Sequence, residues 1–198
     1  MIREAAKRAL DRPRKVTAEW IRNDYPLPPP HYVKQMLVTT FALLNKLDTL
    51  VETGTYLGDM VEAQRDYFKK IYSIELSPEL AERAQQRFRP YPHVEIIQGD
   101  SGERLAEVVS RLEGPALFWL DGHYSGGVTA MGSKECPALE EIKAIKSSPY
   151  AHTVLIDDHR SFVQDTYPAV EELEAVAGDK FIVGADAMIW QKRATGSG

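Results

Sequence analysis

The chain has 198 residues, a length that fits one domain with a full hydrophobic core. Its 43% hydrophobic and 27% charged residues are ordinary values for a soluble globular protein. A formal net charge of −5 argues against nucleic acid or an anionic membrane surface as partner, and no N-terminal apolar run is long enough for a secretory signal or a membrane span.

Residues Ile2 to about Asp24 read as one or two polar helices, interrupted at Pro13, with a solvated basic face. The run Tyr25-Pro26-Leu27-Pro28-Pro29-Pro30-His31-Tyr32 reads as a stiff extended connector. From Val33 to Leu47, apolar residues at helical spacing (Val33, Met36, Leu37, Phe41, Leu44) predict an amphipathic helix. Strands and helices then alternate. A strand at Leu50–Thr53 precedes a helix from about Gly58 to Lys69, and a strand at Ile71–Glu75 precedes a helix to about Arg87. That second helix has a strong start: Ser77 as N-cap, Pro78 at the first helical position and Glu79 in the first turn. Strands at Val94–Gln98, Ala116–Leu120 and Thr153–Ile156 follow, each leading to a helix. Phe181–Val183 and Ala187–Gln191, around a turn at Gly184-Ala185-Asp186, read as an antiparallel hairpin at the sheet edge. The pattern predicts an α/β fold, a doubly wound and mostly parallel sheet. The expected organisation is an N-terminal helical and Pro-rich cap over 1–48, a catalytic domain over 49–192 and a flexible tail over 193–198.

Cys136 is the only cysteine, so an intrachain disulfide is excluded, which fits a reducing, cytoplasmic location. No base for a nucleophilic cysteine is identifiable, and Cys136 reads as structural.

The five parallel strands share a second property: each ends on, or runs straight into, an acidic residue. These are Glu52, Glu75, Asp100, Asp121 and the pair Asp157-Asp158. Ligands of open parallel sheets bind outside the carboxyl ends of the strands. An unpaired carboxylate near a core is costly, so packing alone is a poor reason for acids at all five strand ends. The first turn, Glu52-Thr53-Gly54-Thr55-Tyr56-Leu57-Gly58, has neither the dinucleotide glycine spacing nor the lysine of a P-loop. Glu75 lies roughly twenty residues further on, the spacing at which an acid holds a ribose diol.

On these residues, from about Leu50 to Gln191, the chain resembles the class I S-adenosylmethionine-dependent methyltransferases. The resemblance implies S-adenosyl-L-methionine as cofactor. It places Glu52 and Gly54, with Thr55 and Gly58 in the same loop, at the methionine and ribose end. Glu75 falls on the ribose diol, Asp100 and Ser101 on the adenine, and Asp121 beside the methyl donor. Thr55 stands where many members have a second glycine.

Asp121-Gly122-His123-Tyr124 and Asp157-Asp158-His159-Arg160 would come to one edge of the sheet. Three close carboxylates repel unless protonated or bridged by a cation, and an oxygen-rich set suits Mg²⁺ or another divalent ion. Here the chain resembles the divalent-metal-dependent O-methyltransferases of the catechol and macrolide-sugar types. By that resemblance Asp121, Asp157 and Asp158 hold the metal, with Asp158 in place of an Asn. Tyr124 stands where the catechol-type enzymes have their lysine base, leaving His123 and His159 as candidate bases. The competing reading is that Asp157 and Asp158 cap a helix or turn and that both histidines are ordinary loop residues.

The glycine-rich run Ser125–Gly132 is a candidate lid, and His31, Tyr32 and Tyr124 are candidate substrate contacts. The expected activity is metal-assisted O-methylation of a small hydroxylated molecule, a sugar or natural-product intermediate. Two other classes stay open: a metal-dependent hydrolase built on the Asp/His cluster, and a non-catalytic cofactor-binding module. A homo-oligomer built through the N-terminal helices is likewise open.

Overall fold

A computed structural model of the chain describes residues 15–122, 136–164 and 166–194. Helix α1 covers 15–22 and α2 runs His31–Asn45. Then come β1 (Thr49–Thr53), α3 (Asp59–Gln64), β2 (Lys70–Glu75), α4 (Pro78–Phe88), β3 (Val94–Gln98) and α5 (Ser101–Ser110). They are followed by β4 (Leu117–Leu120), α6 (Ala138–Ser147), β5 (His152–Ile156), a 3-10 turn (His159–Val163), α7 (Val170–Ala177), β6 (Ile182–Gly184) and β7 (Ala187–Lys192). The seven strands lie in the order β3-β2-β1-β4-β5-β7-β6. The first five are parallel, and β7 runs antiparallel to both β5 and β6, as the doubly wound reading expects.

The core has two layers because side chains alternate across a strand. Leu117 and Trp119 of β4 face a layer made with Val38 and Ala42 of α2, Met60 and Val61 of α3 and Phe88 of α4. Phe118 and Leu120 face the other layer, made with Leu105, Ile142, Ile145 and Leu173 of α5, α6 and α7. All four β4 side chains are buried, which is why this strand reads as an unbroken apolar run. Burying each contributes roughly 1.5–3 kcal/mol.

Local chemistry explains several boundaries. The Leu80 N–H donates to the Ser77 hydroxyl at 3.4 Å, with Pro78 opening α4. Asp100 caps α5 by accepting from Gly102 N–H at 2.9 Å. Three boundaries differ from expectation. Helix α3 stops at Gln64 instead of continuing to Lys69. The buried Gln64 amide is held by α2, donating to Gln35 O at 2.9 Å and accepting from Thr39 Oγ1 at 3.0 Å, and the chain then turns to put Phe68 in the core. His31 and Tyr32 belong to the first turn of α2, not to the connector, because Pro30 supplies the N-cap. The hairpin turn is Ala185-Asp186, both at positive φ (50° and 62°), while Gly184 belongs to β6. Two left-handed residues match the twist of an antiparallel pair.

Cys136 is buried, as a structural cysteine should be. Among the described residues no helix is long and apolar enough to cross a membrane. His123, Tyr124, the run Ser125–Gly132, residues 1–14 of the proposed cap and 195–198 of the proposed tail lie outside the described residues.

Candidate functional site

The sheet reverses its winding between β1 and β4, and their carboxyl ends are clamped level. Asp121 N–H donates to Thr53 O at 3.1 Å, Asp157 N–H to Leu120 O at 2.9 Å, and Gly54 N–H to Ile74 O at 2.9 Å. This register brings Glu52, Gly54, Glu75, Asp121 and Asp157 to one edge, where open α/β sheets bind ligands.

Gly54 is at φ +84°, and a Cβ there would lie 2.3 Å from the Asp121 carbonyl oxygen. The first loop therefore rests directly on the Asp121-Gly122 backbone. Gly122 is enclosed in turn: a Cβ there would stand 3.0 Å from both Thr53 Oγ1 and Ser101 Oγ. Gly58, at φ +81°, is glycine for another reason, since a Cβ would strike the Phe88 ring at 2.7 Å. Its backbone accommodates a core aromatic.

Glu75 is 5% exposed, and its two oxygens join two loops: one accepts from Tyr56 N–H at 2.7 Å, the other from Ser77 N–H at 2.9 Å. Glu52 is buried, and its carboxyl accepts from the Ser73 hydroxyl, which lies 2.6 Å from the Thr55 hydroxyl. Burial pushes the Glu52 carboxyl up to about 8; the Ser73 bond opposes the rise, while Asp121 and Glu75 add to it. Thr53 Oγ1 is buried without a hydrogen-bond partner among the described residues. A polar ligand at the edge would satisfy such an atom. Two features fit S-adenosylmethionine at this edge: the orphaned hydroxyl of Thr53 at the end of β1, and acids at the ends of the neighbouring strands.

Asp121, Asp157 and Asp158 do come together, each offering an oxygen within 4.8 Å of the others. Asp158 adopts a left-handed conformation (φ 53°, ψ 46°) and, although it precedes the 3-10 turn, its side chain does not cap it. Its carboxylate accepts instead from Lys34 Nζ at 2.9 Å and from the Arg160 guanidinium at 2.8 Å. Lys34 Nζ also donates to Asp157 Oδ2 at 2.5 Å. Burial lowers the Lys34 amine, but Asp157 and Asp158 together outweigh it and the net shift is upward. Burial likewise raises the Asp157 carboxyl, with Lys34 pulling against it.

The three carboxylates have the chemistry of a hard-cation site, and buried Asp157 Oδ1 has no partner among the described residues. Yet oxygens of two of the three already carry an ammonium. Like charges at 4 Å repel by about 4 kcal/mol per unit pair near a protein surface. With Lys34 seated, the set does not fit a divalent ion.

Of the remaining sequence candidates, His159 donates its backbone N–H to Asp186 O at 2.8 Å. His31 stands in the first turn of α2 with Nδ1 2.9 Å from Gln35 Nε2, and burial lowers its pKa, against the pull of Asp59. Tyr32, the next residue, is 37% exposed.

Sequence reasoning missed Lys34, Arg160 and Asp186. Asp186, in the hairpin turn, accepts from Arg160 N–H at 3.0 Å and pairs with the Arg160 guanidinium, tying the hairpin to the acidic edge. Its visible signal was an acid in a hairpin turn; Lys34 had none, being one polar residue in an amphipathic helix.

No family profile matches the sequence, and no curated protein matches it. Solved structures do match the fold. An O-methyltransferase of tomaymycin synthesis from Streptomyces achromogenes, in complex with S-adenosylmethionine, is 18% identical, with 89% of this chain and 86% of that chain covered at a TM-score of 0.57. The S-adenosylhomocysteine-bound methyltransferase PaMTH1 of Podospora anserina is 18% identical over 98% and 96% of the two chains, with a TM-score of 0.58. An O-methyltransferase from Bacillus cereus with S-adenosylhomocysteine is 13% identical over 89% and 88%, with a TM-score of 0.56. The seven-stranded sheet, its antiparallel hairpin and these neighbours agree: the chain has the fold of the class I S-adenosylmethionine-dependent methyltransferases.

Proposed function

We propose that this protein is an S-adenosylmethionine-dependent methyltransferase acting on a hydroxyl of a small molecule, a sugar or natural-product intermediate. The observation that carries the reading is the reversal of the sheet between β1 and β4, where Gly54 rests on the Asp121 backbone and the buried Thr53 Oγ1 has no hydrogen-bond partner among the described residues. The neighbours that share this fold include O-methyltransferases with S-adenosylmethionine or S-adenosylhomocysteine bound.

In this reading Glu75 binds the ribose diol, Asp100 and Ser101 face the adenine, and Glu52, Gly54 and Thr55 line the methionine end. The cofactor supplies an electrophilic methyl group on a sulfonium. The chain's task is to present the acceptor oxygen in line with that methyl beside Asp121, to exclude water, and to receive the proton, for which His159 is the described candidate. Positioning and fixed charge then account for most of the rate. In this reading helix α2 caps the acceptor side, since it packs on α3, β4 and β5 and brings Lys34 to the acidic edge.

A Mg²⁺ or other divalent ion at Asp121, Asp157 and Asp158 would require Lys34 to withdraw. The same obstacle weighs against a metal-dependent hydrolase. The test is calorimetric titration with S-adenosylhomocysteine: micromolar binding is expected, and its absence in folded protein overturns the reading.

A further inference from the structure

We propose that Lys34, with Arg160 beside it on Asp158, occupies the Asp121–Asp157–Asp158 cluster in place of a divalent ion, and that its ammonium meets the acceptor's oxygen. The second half rests on the methyltransferase reading; the first does not.

The geometry is specific. Lys34 Nζ lies 2.5 Å from Asp157 Oδ2 and 2.9 Å from Asp158 Oδ1. The pair with Asp157 is secluded, with side chains 12% and 0% exposed. Asp157 Oδ1 has no partner among the described residues, so this carboxylate has no other described side chain to neutralise it. The contact spans 123 positions of sequence and depends on α2 lying across the carboxyl end of β5.

An ammonium has three N–H donors and no acceptor. Two are used by the carboxylates, and the third has no protein acceptor among the described residues. An acceptor hydroxyl placed there would be held beside Asp121, which carries the glycine loop of the cofactor crevice on its backbone. A fixed ammonium supplies the charge that otherwise comes from a metal, with no ion to acquire.

The test is Mn²⁺ binding, read by electron paramagnetic resonance of free Mn²⁺, on the full chain and on Lys34→Met and Lys34→Arg variants. Wild type and Lys34→Arg should bind Mn²⁺ weakly. Lys34→Met should bind at least about tenfold tighter, equivalent to roughly 1.4 kcal/mol, and Asp157→Asn added to it should abolish the gain. Tight binding by wild type overturns the proposal without any variant. So does a folded Lys34→Met that binds no better than wild type. The acceptor role predicts methyl transfer that survives EDTA, is retained in Lys34→Arg and is lost in Lys34→Met; activity removed by EDTA and restored by Mg²⁺ overturns it. Failure to bind S-adenosylhomocysteine would remove the methyltransferase reading and leave the Mn²⁺ result standing.

Discussion

Gly54 and Asp121 meet backbone to backbone: a single carbon added to residue 54 would lie 2.3 Å from the Asp121 carbonyl oxygen. The loop after the first strand and the loop after the fourth thus share one wall, and nothing larger than hydrogen fits between them.

Gly54→Ala forces both a clash and a φ of +84° on a residue with a Cβ. We expect a loss of about 1–3 kcal/mol in stability and a larger loss of affinity for S-adenosylhomocysteine, because the loop must lift off Asp121. Thermal denaturation and calorimetry report the two effects separately. A folded variant with unchanged affinity would show that the loop does not line the cofactor.

Glu75→Ala removes a carboxylate that holds Tyr56 N–H and Ser77 N–H. S-adenosylhomocysteine should bind at least tenfold more weakly, about 1.4 kcal/mol, through loss of charge-assisted bonds to the diol and slackening of both loops. Titration of the purified variant checks this, and wild-type affinity would sink the ribose assignment.

Glu52 makes stability depend on pH. Its carboxyl titrates near 8 when folded, against an ordinary 4.5. The folded chain keeps a proton that the unfolded chain gives up above 4.5, so this group's contribution is full below that pH. It declines as pH rises and levels off above about 8. At 1.36 kcal/mol per pH unit the decline is at most about 5 kcal/mol. Melting temperatures of wild type should fall across this window, and those of Glu52→Gln should fall less. Parallel curves for the two proteins would contradict the assignment.

Asp157→Ala leaves Lys34 secluded with one carboxylate partner instead of two. Breaking such a pair costs about 3–5 kcal/mol, so urea denaturation should show a loss towards that range. Affinity for S-adenosylhomocysteine should change little, because the proposed function puts Asp157 on the acceptor side. Loss of cofactor binding with unchanged stability would place Asp157 in the cofactor pocket instead.

The sheet was legible in the sequence because burial on both faces writes itself as continuous apolar runs: Leu117–Leu120 and Val154–Ile156 are buried at every position. The carboxylates at the strand ends were legible for the same reason, as breaks in those runs. The gathering of Asp121, Asp157 and Asp158 followed once the strands were taken as neighbours, and the parallel register of β4 and β5 delivers it. The charge that balances them was not legible. Lys34 sits on a helix whose spacing shows only which face is apolar, and whether a lysine there meets water or a carboxylate depends on where the helix docks. Asp186 and Arg160 were hidden likewise, because the hairpin turn and the end of β5 become neighbours only when β7 pairs with β5. The sequence by itself determined the fold class and the acidic edge, since both arise from local burial patterns along single strands. Only the tertiary structure decided which cation the edge holds, because that contact joins residues 123 positions apart and leaves no periodic trace in the chain.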